Sequence, residues 1–135
     1  MGDLAHKRIF IVEDNIENRI VYQMIFMREG TICEFERLGP QAISRLKNFQ
    51  PVDLIILDLM LAGGISGYDI FDEIRRHPEF NSIPIVAVSS SDASEAIPKT
   101  QRKGFSGYIS KPIDQVHFAS QINRILRGEA VWDSG

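Results

Sequence analysis

The sequence predicts an α/β fold, a parallel β-sheet with helices on both faces. Three observations lead there. Short, continuous apolar runs rich in β-branched residues recur at even intervals, at 9–12, 54–57 and 85–88, as strands buried on both faces do. Segments with helical apolar spacing fill the intervals. Strict alternation of the two implies parallel strands joined by right-handed crossovers.

The first strand, 9–12, runs into Glu13 and Asp14. Ile16, Ile20, Met24 and Met27 then share one face of a helix, expected to lie on the sheet, and Gly30 ends that helix. Residues 31–36 alternate as a second strand. Pro40 is expected to open a second helix, with Ala42, Ile43 and Leu46 inward. The third strand, 54–57, stops at Asp58, and Ile70, Phe71 and Ile74 stripe a third helix that ends before Pro78. The fourth strand, 85–88, leads into Ser89. Between 91 and 104, Pro98 would cost about 3 kcal/mol in a helix interior. A helix that begins late, with Pro98 in its first turn, is therefore expected. The fifth strand, 107–110, stops at Lys111 and Pro112, and Phe118, Ile122 and Ile125 stripe a last helix that Gly128 closes.

The 135 residues suit one domain, 1–135, with its core at about 7–127. With 44% hydrophobic and 24% charged residues, the chain is expected to be soluble and to bury a core. A net charge of −3 argues against a protein built to neutralise nucleic-acid phosphates. Cys33, the lone cysteine, allows no internal disulfide and no Cys/His zinc cluster, so a reducing, cytoplasmic setting is expected. No apolar run approaches the ~20 residues of a membrane-spanning helix, and residues 1–8 carry no secretory apolar region.

In a parallel sheet the carboxyl ends of all strands share one rim, where ligands of such folds sit. Glu13, Asp14 and Asp58 would meet there, with Ser89 and Lys111. Each has an ordinary structural role when taken alone. Acids favour a helix N-terminus, serines cap turns, and a lysine before proline is solvated. Together they point to chemistry. Three carboxylates in one crevice repel unless a cation sits among them, and an oxygen-only set suits Mg²⁺ over zinc or copper. A compact positive charge and a hydroxyl donor beside such a site can hold a phosphoryl group on an aspartate.

Four segments carry a closer likeness: IFIVEDN at 9–15, DLIILDLM at 53–60, PIVAVS at 84–89 and GYISKP at 107–112. With them the chain resembles the response-regulator receiver domains of two-component signalling, of the single-domain type, over about 7–127. The resemblance implies a doubly wound, flavodoxin-like sheet of five strands in the order 2-1-3-4-5. It implies that Asp58 is the phosphoacceptor and that Glu13, Asp14, Asp58 and the Met60 backbone carbonyl hold Mg²⁺. Lys111 would pair with the carboxylate or phosphoryl oxygens. Ser89 would be the switch hydroxyl, and Tyr108 the aromatic whose rotamer follows it. The phosphoryl donor would be a histidine kinase or a histidine phosphotransfer protein. Output would go by protein contact to a downstream target, and the chain would be a regulatory phosphoacceptor and no enzyme toward other substrates.

The sequence departs from that pattern in places. Ala62 stands where the family usually has proline, in a loop one residue longer than the common form, and Gly63-Gly64 make it flexible. Ser90 replaces a small apolar residue, and Pro98 is atypical. Tyr22 and Phe26, four apart on the first helix, are expected to anchor a histidine-bearing partner, with packing under the last helix as the structural alternative. Other functions fit less well. A dehalogenase-type phosphohydrolase needs an acid where Met60 stands, and a nucleotide or flavin carrier needs a phosphate cradle where Glu13-Asp14-Asn15 stand. A receiver cut from a hybrid histidine kinase and a binding module that signals without phosphorylation are the remaining alternatives.

Overall fold

Apolar side chains that alternate across a fully buried strand need cover on both sides, and the chain supplies it. A computed structural model describes residues 3–37 and 41–135. In order, the elements are β1 (Arg8–Val12), α1 (Ile16–Glu29), β2 (Ile32–Glu36), α2 (Ala42–Asn48), β3 (Leu54–Leu57), α3 (Gly67–Arg75), β4 (Ile85–Ser89), α4 (Ala93–Lys103), β5 (Gly107–Ser110), α5 (Phe118–Leu126) and β6 (Val131–Asp133). All neighbouring strands pair in parallel, in the order β2-β1-β3-β4-β5-β6. Phe10, Val12, Ile55, Leu57, Ile85 and Ala87 face the core beneath α2, α3 and α4. Ile9, Ile11, Leu54, Ile56, Val86 and Val88 face the core beneath α1 and α5. Among the described residues no helix is long and apolar enough to cross a membrane. Pro40 lies outside the described residues.

The structure corrects the sequence-based expectations in three places. The sheet has six strands, because the chain after α5 returns as β6 along the free edge of β5. The first helix buries the opposite face from the one expected. Ile16, Ile20, Met24 and Met27 are exposed, while Tyr22, Ile25 and Phe26 are buried. The reason is volume: Tyr22 and Phe26 stack on one another and both meet Phe118 of α5, with centroids 5.8 and 5.9 Å from its ring. They are core residues and anchor no partner at the surface. Finally, α4 does not start late. Asp92 caps it by accepting the Ser94 N–H, and the helix continues through Pro98. Proline cannot bond the Ser94 carbonyl. Two residues on, the buried Thr100 hydroxyl donates to the Ala96 and Ile97 carbonyls, tying that turn together.

Candidate functional site

Parallel pairing brings residues almost a hundred positions apart to one rim. β1 delivers Glu13, 1% exposed, whose two carboxylate oxygens accept from the Asn15 N–H at 3.1 Å and from the Lys111 Nζ at 2.6 Å. β3 delivers Asp58, 7% exposed, with Oδ1 accepting from the Met60 N–H at 3.1 Å and Oδ2 from the Lys111 Nζ at 2.8 Å. β5 delivers Lys111, whose backbone N–H bonds the Ser89 carbonyl at 2.9 Å and so fixes the lysine against the end of β4. One ammonium thus bridges two buried carboxylates.

Desolvation by burial holds the Glu13 carboxyl above its ordinary range despite the opposing pull of Lys111. Desolvation likewise works against the Lys111 charge, but the hydrogen bonds and charges of Asp58 and Glu13 outweigh it, and the ammonium titrates above its usual value. Asp14, half-buried, points across the crevice to the loop after β3, where its Oδ2 accepts from the Ala62 N–H at 2.7 Å. A proline at 62 has no such hydrogen to give. One oxygen each from Glu13, Asp14 and Asp58 lies within 4.8 Å of the others, a separation that a single hard cation can span.

The loop that follows Asp58 is ordered by its own bonds. Gly67 donates to the Leu59 carbonyl at 3.0 Å and Leu61 to the Ile65 carbonyl at 3.1 Å, around a 3₁₀ turn at Ala62–Gly64. Neither bond uses the Met60 carbonyl, the backbone group expected to face a metal. Gly67 is obligatory here, since a Cβ on it would lie 2.2 Å from the Asp58 carbonyl oxygen. The glycine-rich loop is thus held over the site, with its Ala62 N–H on Asp14.

Ser89 ends β4 fully buried, and its Oγ accepts from the Ser91 hydroxyl at 3.1 Å and the Ser91 N–H at 3.3 Å. Tyr108 on β5 is also fully buried, its hydroxyl donating to the Ser91 carbonyl at 3.0 Å. Ser91 thus joins the two positions expected to switch. Sequence reading missed this link and the Ala62 contact with Asp14, because a backbone donor or acceptor leaves no mark on residue type.

Comparison with known proteins decides the family. The family described as the response regulator receiver domain matches residues 9–123. This chain belongs to it. The receiver is 27% identical over 122 residues to the rice two-component response regulator ORR12 (Oryza sativa subsp. japonica), covering 90% of this chain and all of that one. It is 29% identical over 123 residues to the peroxide stress-activated histidine kinase mak1 of Schizosaccharomyces pombe, covering 87% of this chain but only 7% of the kinase. Among solved structures, it matches the receiver domain of a sensor histidine kinase from Pseudomonas aeruginosa PAO1 with a TM-score of 0.78 at 25% identity, over 91% of this chain and 99% of that one. That protein carries a magnesium ion coordinated in its active-site cleft.

Proposed function

We propose that this receiver takes a phosphoryl group onto Asp58 from a phosphohistidine of a histidine kinase or histidine phosphotransfer protein, and signals by protein contact. The observation that carries the proposal is the Lys111 ammonium bonded at once to Asp58 and Glu13 at the rim where Asp14 also converges. In the transfer a carboxylate oxygen of Asp58 forms the new O–P bond, the N–P bond of the donor breaks, and the imidazole keeps the electron pair. Lys111 is placed to follow the charge onto the phosphoryl oxygens.

The donor set fits a hard divalent ion, all oxygen and without His or Cys. Glu13, Asp14, Asp58 and the Met60 carbonyl would hold Mg²⁺. When bound, it supplies charge neutralisation at the phosphoryl oxygens. The magnesium-bearing relative from P. aeruginosa supports the same reading. The acyl phosphate brings a charge of about −1.5 to −2 and acceptors that can draw the Ser89 hydroxyl from Ser91, moving the loop that Tyr108 holds. The result is a shift between two states of one surface.

The chain acts as a regulatory phosphoacceptor of the cytoplasm and catalyses no reaction of other substrates. The apolar stripe of Ile16, Ile20, Met24 and Met27, beginning just past Asp14, offers the exposed surface for the histidine-bearing partner. Titration with beryllofluoride, followed by fluorine NMR, tests the site. Binding that needs both Mg²⁺ and Asp58 supports the proposal, and equal binding by Asp58→Asn overturns it.

A further inference from the structure

β6 has a seat made for it. Gly128, with φ at 92°, turns the chain back after α5, and β6 then pairs with β5 so that Tyr108 lies opposite Trp132. A Cβ on Gly107 would stand 2.7 Å from the Val131 carbonyl oxygen, so glycine is what admits the strand this closely. Val131 is buried against the α5 side of the sheet, and Asp133 accepts a 2.7 Å hydrogen bond from the Gln121 side chain of α5.

Register partners in a parallel pair point to the same face, with strands about 4.8 Å apart. Trp132 therefore stands beside Tyr108 on the α4 side, half-buried against the core to which Tyr108 belongs. Without β6, β5 would be the edge of the sheet and Tyr108 would have open space at its side. Tyr108 in turn holds the Ser91 carbonyl, and the Ser91 hydroxyl holds Ser89. Register pairing of Trp132 with Tyr108, followed by hydrogen bonds from Tyr108 to Ser91 and from Ser91 to Ser89, thus links the sheet edge to the end of β4.

We propose that Trp132 is a positioning residue for the switch: β6 blocks the outward swing of Tyr108 and so favours the loop arrangement that goes with an occupied Asp58. This rests on the phosphoacceptor function proposed above. The physical reason is linkage. If the loop after β4 closes on a phosphoryl group and Tyr108 fills the space behind it, anything that keeps Tyr108 inward raises affinity at Asp58. By reciprocity, occupancy of Asp58 tightens β6 on the sheet. Trp132 is the chain's one tryptophan, so its fluorescence reports on β6 directly.

The experiment compares the full chain with Trp132→Ala, Trp132→Phe and Gln121→Ala, using ring NMR of labelled tyrosine, with buried Tyr22 as the internal control, and Mg²⁺ with beryllofluoride as the probe. In Trp132→Ala the Tyr108 ring gains a second, solvent-exposed state, and beryllofluoride affinity falls roughly three- to tenfold. Trp132→Phe restores most of both. Gln121→Ala, which loosens β6 without touching its aromatic and leaves a surface helix intact, gives the same changes in smaller measure should Trp132→Ala fail to fold. In the unaltered chain, beryllofluoride reduces acrylamide quenching of Trp132. A Tyr108 ring that stays fully inward in the folded Trp132→Ala and Gln121→Ala variants overturns the inference, whatever beryllofluoride does. If no form binds beryllofluoride, the phosphoacceptor proposal falls, while the Tyr108 measurement still decides the role of Trp132.

Discussion

Lys111→Ala removes the one cation between Glu13 and Asp58, and the consequences can be sized. With the charge centres about 4 Å apart in surroundings of effective dielectric about 20, each unit-charge pair contributes about 4 kcal/mol. Repulsion between the two carboxylates and the desolvation of the lysine offset part of that sum. The side chains are only 11%, 1% and 9% exposed for Lys111, Glu13 and Asp58, so solvent screens little of what remains. Breaking a buried pair by removing one partner costs about 3–5 kcal/mol, and a loss of about 3 kcal/mol is expected in Mg²⁺-free buffer at neutral pH. Urea denaturation with an unchanged m-value measures it. Since the folded pKa of Lys111 is raised, its contribution is complete below the unfolded value of 10.5 and fades as pH climbs through the folded one. The variant therefore lacks the Lys111 share of the alkaline loss, while the share from burial of the Tyr22 and Cys33 side chains remains in both proteins. Added Mg²⁺ restores more stability to the variant than to the parent, because the freed carboxylates gain most from a new cation. A loss below about 1 kcal/mol, or equal insensitivity of both proteins to Mg²⁺, would refute the coupling of these three groups.

Other outcomes follow from the same structure. Phe118→Ala, emptying the space between Tyr22 and Phe26, should cost about 3–5 kcal/mol in denaturant unfolding, whereas Met27→Ala, at 78% exposure, should stay within about 0.5 kcal/mol; reversed costs would put the other face of α1 on the sheet. The exposed Asp114 carboxylate meets the His117 Nδ1 at 2.7 Å and its hydrogen bond raises the histidine's pKa. Stability from this pair is complete between the unfolded Asp114 value of 3.8 and the unfolded His117 value of 6.5, and is lost as pH falls through the folded carboxylate value or rises through the folded imidazole value, so an NMR titration of Asp114→Asn should show His117 falling back toward 6.5. Ala62→Pro deletes the N–H that bonds Asp14, and Leu61, with φ −112° and ψ 161°, already has a conformation that precedes proline well. Calorimetry should find Mg²⁺ bound more tightly by this variant, by up to about tenfold, since a charged hydrogen bond no longer competes with the ion.

The site was legible because its residues lie next to strands that were themselves legible. Buried apolar runs mark β1, β3 and β4, and parallel topology then obliges Glu13, Asp14, Asp58, Ser89 and Lys111 to meet at one rim. Periodicity was a poorer guide where two apolar stripes share one helix. On α1 both the Ile16–Ile20–Met24–Met27 and the Tyr22–Ile25–Phe26 sets satisfy the spacing, and only the aromatic volume opposite, Phe118, decides between them. Pro98 misled for a related reason. The propensity cost is local, and the Asp92 cap with the Thr100 hydroxyl bonds supports α4 around it. β6 has three residues, too few to show an alternation, and its place depends on the room left by Gly107.

The most direct test of the account is intact-mass analysis after incubation with acetyl phosphate and Mg²⁺, followed by peptide mapping of the modified chain. The account predicts one added phosphoryl group, labile as an acyl phosphate, located on Asp58, absent from Asp58→Asn and absent when the divalent ion is chelated. A phosphoryl group of undiminished yield in Asp58→Asn, or none on the parent chain with Mg²⁺ in excess, would contradict it.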